Sequence, residues 1–239
     1  MFAFAMIAPQ MRTQHRWRDR LTGSTVVFQA ETAELPPTPK GRATRERLLT
    51  AATAIFEQHG YDAARVADIV AGAGVSHGLF YRHFADKDAI LLAVLTRLYD
   101  GLRHTSGRGT ATGGKPTLAQ LQARNILFFS EYAQHRRMLR VSREAAGRAE
   151  NAGFRALWLE MRGRFTVRTV RWLNGLAAAG HIEPLSDAAM IAEGLSSMTE
   201  QMAYVQLGLA TEEPSDDLIE RLGHATGVIW HRTIFGNAA

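Results

Sequence analysis

Between Ala73 and Phe84 lie Ser76, His77, Tyr81, Arg82 and His83, five side chains that carry hydrogen-bond donors, packed into a run long enough for one turn and one short helix. A DNA duplex offers such a set two kinds of partner: acceptors on base edges in the major groove, and phosphate oxygens along the backbone. Gly78, in their midst, lets backbone approach a partner closely. Just beyond, Lys87 falls on the first turn of a following helix, where an ammonium and free backbone N–H groups together suit a phosphate. Double-stranded DNA is therefore the first partner these residues imply.

The elements that must position them are legible on either side. Val66, Ile69, Val70 and Ala73 recur at the spacing of one helical face. Gly74 follows as a helix stop, Val75 plugs the turn, and Ser76 is placed to accept from the free N–H groups of the next helix. On that second helix Phe80 and Phe84 share a face, so they anchor it while the polar residues point away. An earlier helix runs from Thr44 to His59 with Leu48, Leu49, Ala52, Ile55 and Phe56 on one side and Gly60 as its stop. A later one, capped by Asp86, carries Ile90, Leu91, Val94, Leu95 and Leu98. These add up to a three-helix helix-turn-helix head with a helix leading out of it.

The order Ile69, Ala73-Gly74-Val75-Ser76, Gly78, Phe80-Tyr81, His83-Phe84 and Lys87 resembles the tetracycline-repressor (TetR, AcrR-like) family of transcription regulators. The resemblance covers the head. It implies an all-α fold and a homodimer, with a C-terminal helical domain that binds a small-molecule effector and dimerises. It further implies a repressor that sits on a palindromic operator until the effector releases it. Carried over position by position, it implies DNA contact from Arg65, His77, Gly78, Leu79, Tyr81, Arg82, His83 and Lys87. Two positions depart from the family pattern. Arg65 stands where a serine or threonine cap is usual, a loss of about 1 kcal/mol that Asp62 or Asp68 near the helix start would partly offset. Leu79 suits a thymine methyl rather than a hydrogen bond.

Composition narrows the remaining classes. The 239-residue chain is 46% hydrophobic and contains no cysteine, which excludes disulfides, thiolate metal sites and cysteine nucleophiles. No apolar run approaches the roughly 20 residues of a membrane span, and the short apolar opening lacks the basic flank of a secretory signal. A cytoplasmic protein is expected. Residues 1–39 show little periodicity and end in a proline cluster, the pattern of a flexible arm. The head is expected over 40–86 and the effector and dimerisation domain over 87–239, with a bridging helix at 87–103 and a Gly/Ser/Thr-rich linker at 104–116. Gly109 to Lys115 matches the spacing of a phosphate loop, but Pro116 replaces its hydroxyl residue and no strand precedes it, so the match is coincidental.

Charge is unevenly spread: net +2 over 40–104, +9 over 105–180 and −7 over 181–239. The arginines from Arg136 to Arg171 admit two readings. One is a solvated helix face balanced by the acidic C-terminal block; the other is recognition of an anionic ligand, such as an acyl-coenzyme A thioester, by guanidinium forks. Beyond the linker every segment has helical period, including caps at Ser186-Asp187 and Ser215. The stripe Ile191, Leu195, Met198, Met202, Val205 and Leu209 and the stripe Leu218, Leu222, Ala225 and Ile229 are expected to face other helices. An effector pocket is expected among large apolar side chains with few polar groups: Phe128, Phe129, Tyr132, Trp158, Met161, Phe165, Trp172, Met198 and Met202, with Asn125 as a carboxamide that must find a partner. A nonspecific architectural DNA binder is the alternative, against which the mild charge of the head speaks. A helical enzyme is the other, for which no nucleophile elbow, zinc spacing or nucleotide loop is found. No cofactor is expected.

Overall fold

The computed structural model describes residues 38–102, 114–148 and 152–236, and all of its regular elements are helices. In chain order they are α1 (Pro39–Ala63), α2 (Val66–Ala73), α3 (His77–Tyr81), α4 (Lys87–Leu102), α5 (Leu118–Gly147), α6 (Ala152–Ala178), α7 (Ala188–Ala203, continued by a π-helical turn over Tyr204–Gly208) and α8 (Asp216–Phe235). The all-α expectation holds. The flexible arm lies outside the described residues as far as residue 37, and most of the expected linker, 103–113, lies outside them too.

Local chemistry explains where the helices begin. Thr38 Oγ1 accepts from Gly41 N at 3.1 Å with Pro39 in the first turn, so α1 starts inside the stretch expected to be an arm. Gly60 (φ 71°, ψ 179°) interrupts α1 near the expected stop. Asp86, Asp187 and Ser215 each accept from a backbone N–H three residues on, at 2.7, 3.0 and 3.2 Å. Thr117 and Gln120 form a reciprocal capping box at the head of α5 that the sequence reading had passed over.

The core of the head does not end at the expected boundary. Leu48, Phe56, Ile69, Phe80, Phe84 and Ile90 belong to one buried cluster that continues through Leu95 into Met138 and Val141 of α5 and Phe154 of α6. The head and the near end of the C-terminal helices thus share one hydrophobic core. Two further clusters fill the far half, one around Leu121, Leu173, Leu195 and Trp230, the other around Phe129, Ala203, Leu207 and Leu222.

α5 runs through the middle, and α8 lies along it at close range. Gly223 and Gly227 make that approach possible. A Cβ on Gly223 would come 2.6 Å from Ile126 N, and one on Gly227 would come 2.8 Å from the Gln122 backbone. α8 therefore turns Ile219, Leu222, Gly223, Thr226, Gly227 and Trp230 inward. The stripe expected from hydrophobicity is only partly right, since Ile229 is 40% exposed and Ala225 is exposed too. On α7 the buried positions are Ala192, Leu195, Ser196, Thr199 and Ala203, while Val205 and Leu209, expected to face inward, are exposed. Small residues, weak on any hydrophobic scale, occupy the places where backbones meet.

Candidate functional site

The turn between α2 and α3 is built by three consecutive local devices. Gly74 takes the left-handed conformation (φ 62°, ψ 45°), and its N–H donates to Ala71 O, while Val75 N reaches back to Val70 O at 3.0 Å. This pair of bonds closes α2. Ser76 Oγ then accepts from Leu79 N at 3.3 Å and opens α3. Phe80 and Phe84, 5.9 Å apart, are both buried in the head core and fix the roll of α3. Rolled in this way, α3 presents Ser76, His77, Gly78 and Arg82 to solvent together with Tyr81, an aromatic residue 57% exposed. Leu79 and His83 are half-buried beside them. Burial first, then the charges of Arg45 and Arg82, push the His83 imidazolium toward losing its proton, so the ring is neutral at physiological pH, with one donor and one acceptor.

Arg65 is exposed and occupies the N-cap position of α2 with no side-chain cap bond, as expected for the serine or threonine it replaces. Asp68 sits in the first turn, but Asp62 does not help α2: it pairs with Arg148 at the end of α5. Lys87 has a different job from the phosphate contact expected of it. Its Nζ donates to Tyr61 O at 2.9 Å and Ala64 O at 3.0 Å and lies 4.2 Å from the Tyr61 ring centroid. Two of its three donors thus satisfy carbonyls at the end of α1, which have no partner within the helix. Tyr61 also bonds Asp88, so the start of α4 is fastened to the end of α1.

A cavity of about 120 Å³ lies among α4, α5, α6 and α7. Of the expected pocket residues, Phe128, Tyr132, Met161 and Phe165 line it. Phe129 is fully buried in the third core cluster; Trp172 and Met198 pack on the second and Met202 on the third. Trp158 lies under the Arg162 guanidinium, 4.9 Å away, and Asn125 donates to Leu121 O of its own helix at 2.9 Å. A carboxamide among apolar neighbours found its partner one turn back, with no need of a ligand.

The lining is also more charged than expected: Glu131, Arg162, Arg164, Arg168 and Glu200 contribute, with Tyr99, Thr166 and Thr199. Arg162 bonds both Glu200 and, at 2.6 Å, Glu193. Burial holds the Glu200 and Glu131 carboxyls above their ordinary range, and pushes the Tyr99 phenol up to about 12, so it stays a donor. A search limited to apolar and aromatic residues misses these groups. The usable signal was the polar spacing Arg162, Thr166, Thr169 on α6 facing Glu193, Ser196, Glu200 on α7.

Comparison with known proteins gives this arrangement its context. Residues 48–94 match the profile of bacterial regulatory proteins of the tetR family. Over 218 residues, 86% of this chain and 96% of the relative, the sequence is 26% identical to the HTH-type transcriptional regulator EthR of Mycolicibacterium smegmatis. The chain belongs to the TetR family. It is a DNA-binding transcriptional regulator and not an enzyme, as its relatives in this family are. The TetR-family fold extends beyond the matched head. GusR of Salmonella enterica (17% identical, TM-score 0.64) aligns over 81% of this chain and 96% of its own. A SmeT–triclosan complex (20% identical, TM-score 0.65) aligns over 82% and 93%.

Proposed function

We propose that this TetR-family regulator is a repressor that binds a palindromic operator as a homodimer in the cytoplasm and leaves it when a small, largely apolar effector enters the cavity among α4–α7. In this reading residues 40–86 are the DNA-binding unit and 87–239 the effector and dimerisation unit. Arg65, Ser76, His77, Gly78, Leu79, Tyr81, Arg82 and His83 form the DNA surface, and Lys87 orients it from behind. The observation that carries the reading is α3 itself: a helix held by buried Phe80 and Phe84 that keeps a large aromatic and an arginine in solvent. Exposed aromatic area of that kind, beside donors, fits a groove better than water. Repression then requires only that the head occupy its site.

The dimer is supported by apolar side chains left without cover on the last two helices: Met190, Val205 and Leu209 on and just after α7, and Ile229 on α8. The effector role is supported by the path from the cavity to the head. Tyr99, near one end of α4, lines the cavity, while Lys87 and Asp88 at the other end grip α1. α4 spans 16 residues, so a displacement at the cavity is carried by one helix roughly 24 Å long. SmeT, which shares the fold, is seen in complex with the small molecule triclosan.

Footprinting on the protein's own genome, followed by binding to the recovered site and to random DNA, tests the reading. Protection of a two-fold symmetric site, with a preference on the order of a thousandfold or more over random sequence, is the expected result. Equal binding to all sequences, or a monomer on the recovered site, would overturn it.

A further inference from the structure

Arg124, on α5, is the anomaly of the C-terminal half. Its guanidinium carbon lies 5.4 Å from the Trp172 ring and 5.8 Å from the Trp230 ring. Among the described residues its Nη1 is the one buried side-chain nitrogen or oxygen without a hydrogen-bond partner. A guanidinium is always charged, and in protein interiors such a group is paired. The neighbouring charge that bears on Arg124 is another guanidinium, Arg168, which with burial weakens its hold on the proton. Arg168 in turn lines the cavity and lies 5.7 Å from the Phe165 ring. Trp230, which covers Arg124, donates from Nε1 to Thr199 Oγ1 at 3.0 Å, and Thr199 is part of the cavity wall.

We infer that the effector is a small monocarboxylic acid with an apolar body, its carboxylate seated at the Arg168–Thr199 end of the cavity as the counter-charge that Arg124 lacks. The inference rests on the effector role proposed for this cavity. The other charges around it have counterparts: Glu193 and Glu200 face Arg162 and Arg143, and Arg164 pairs with Glu160. One negative charge is what the Arg168 end can take, because Glu131 and Glu200 on the same wall repel a dianion. About 120 Å³ is also too small for a nucleotide-bearing thioester. Arg136 and Arg137, which would serve one, are committed to Glu213.

Calorimetry with phenylpropanoate, phenylpropanol and phenylpropylamine, three bodies of one shape differing in head charge, tests this, with operator release measured alongside. The acid is expected to bind about tenfold more tightly than the alcohol, and the amine most weakly. Arg124→Met is expected to abolish the preference for the acid, leave the alcohol's affinity unchanged and raise the Tm of the ligand-free protein by a few degrees, since an apolar isostere of an unpaired buried charge stabilises. Arg168→Gln, at the cavity wall, is expected to lose the acid preference independently. If the alcohol binds and releases DNA as well as the acid does, or if Arg124→Met keeps the preference, the inference fails while the effector reading stands. If none of the three binds, both fail.

Discussion

The head and the far half of this regulator are held together by different kinds of information. In the head, the devices that aim α3 are neighbours in sequence: Gly74 closes one helix, Ser76 opens the next, and Phe80 and Phe84 anchor it within eight residues. In the far half the decisive contacts join positions about a hundred residues apart, where Gly223 and Gly227 admit the backbone of Ile126 and Gln122. The cavity depends on the same long-range packing, because its walls come from four helices. A surface that reads DNA can thus be specified by a short motif, whereas a pocket between helices is specified only by how those helices pack.

This contrast predicts a graded set of losses. Phe80→Ala removes a fully buried anchor and should cost about 4 kcal/mol, with operator binding lost together with the head's cooperative unfolding in urea. Gly227→Ala places a methyl 2.7 Å from Gln122 Cγ and 2.8 Å from its backbone. Overpacking there should cost about 3 kcal/mol; an unchanged urea midpoint would show that α5 and α8 can part freely, and would break the comparison. Lys87→Met leaves the carbonyls of Tyr61 and Ala64 without their ammonium, a loss of about 2 kcal/mol. Its operator affinity should fall without the flattened salt dependence that a lost phosphate contact produces. Ser76→Ala removes only the cap of α3 and should cost about 1 kcal/mol, read as a modest drop in both Tm and operator affinity.

The smallest effect concerns pH. The hydrogen bond from buried Arg136 holds the exposed Glu213 carboxyl below its ordinary value of 4.5. Its folded value is depressed, so its contribution is present above 4.5 and disappears as pH falls through the folded value. Glu213→Gln should therefore flatten the acid limb of a stability-versus-pH curve and leave the head's α3 unaffected.

Much of the head could be read directly. The caps at Ser76 and Asp86, the glycine stop at Gly74 and the inward face of Phe80 and Phe84 all follow from local rules, and the structure has each of them. Lys87 is the exception: its position at the start of α4 was legible, but the carbonyls it grips belong to α1, more than twenty residues away. Of ten apolar or amide residues expected around a pocket, Phe128, Tyr132, Met161 and Phe165 face the cavity. The others have side chains of the same types on the same helices but are turned into core. Nothing in a residue's own type distinguishes a wall of a cavity from a wall of a core.

The amino-acid order by itself determined that this chain is helical, where most helices start, and which short segment points donors outward. Those outcomes depend on hydrogen bonds and side-chain spacings within a turn or two of chain. Only the tertiary structure decided which faces of α7 and α8 turn inward, that Asn125 satisfies itself, and that Arg124 lies buried between two indoles with one nitrogen unpartnered. Those outcomes depend on close approach between distant helices. Close approach is governed by the absence of side chains at Gly223 and Gly227 as much as by their presence elsewhere, and an absent side chain leaves no mark in a hydrophobic pattern.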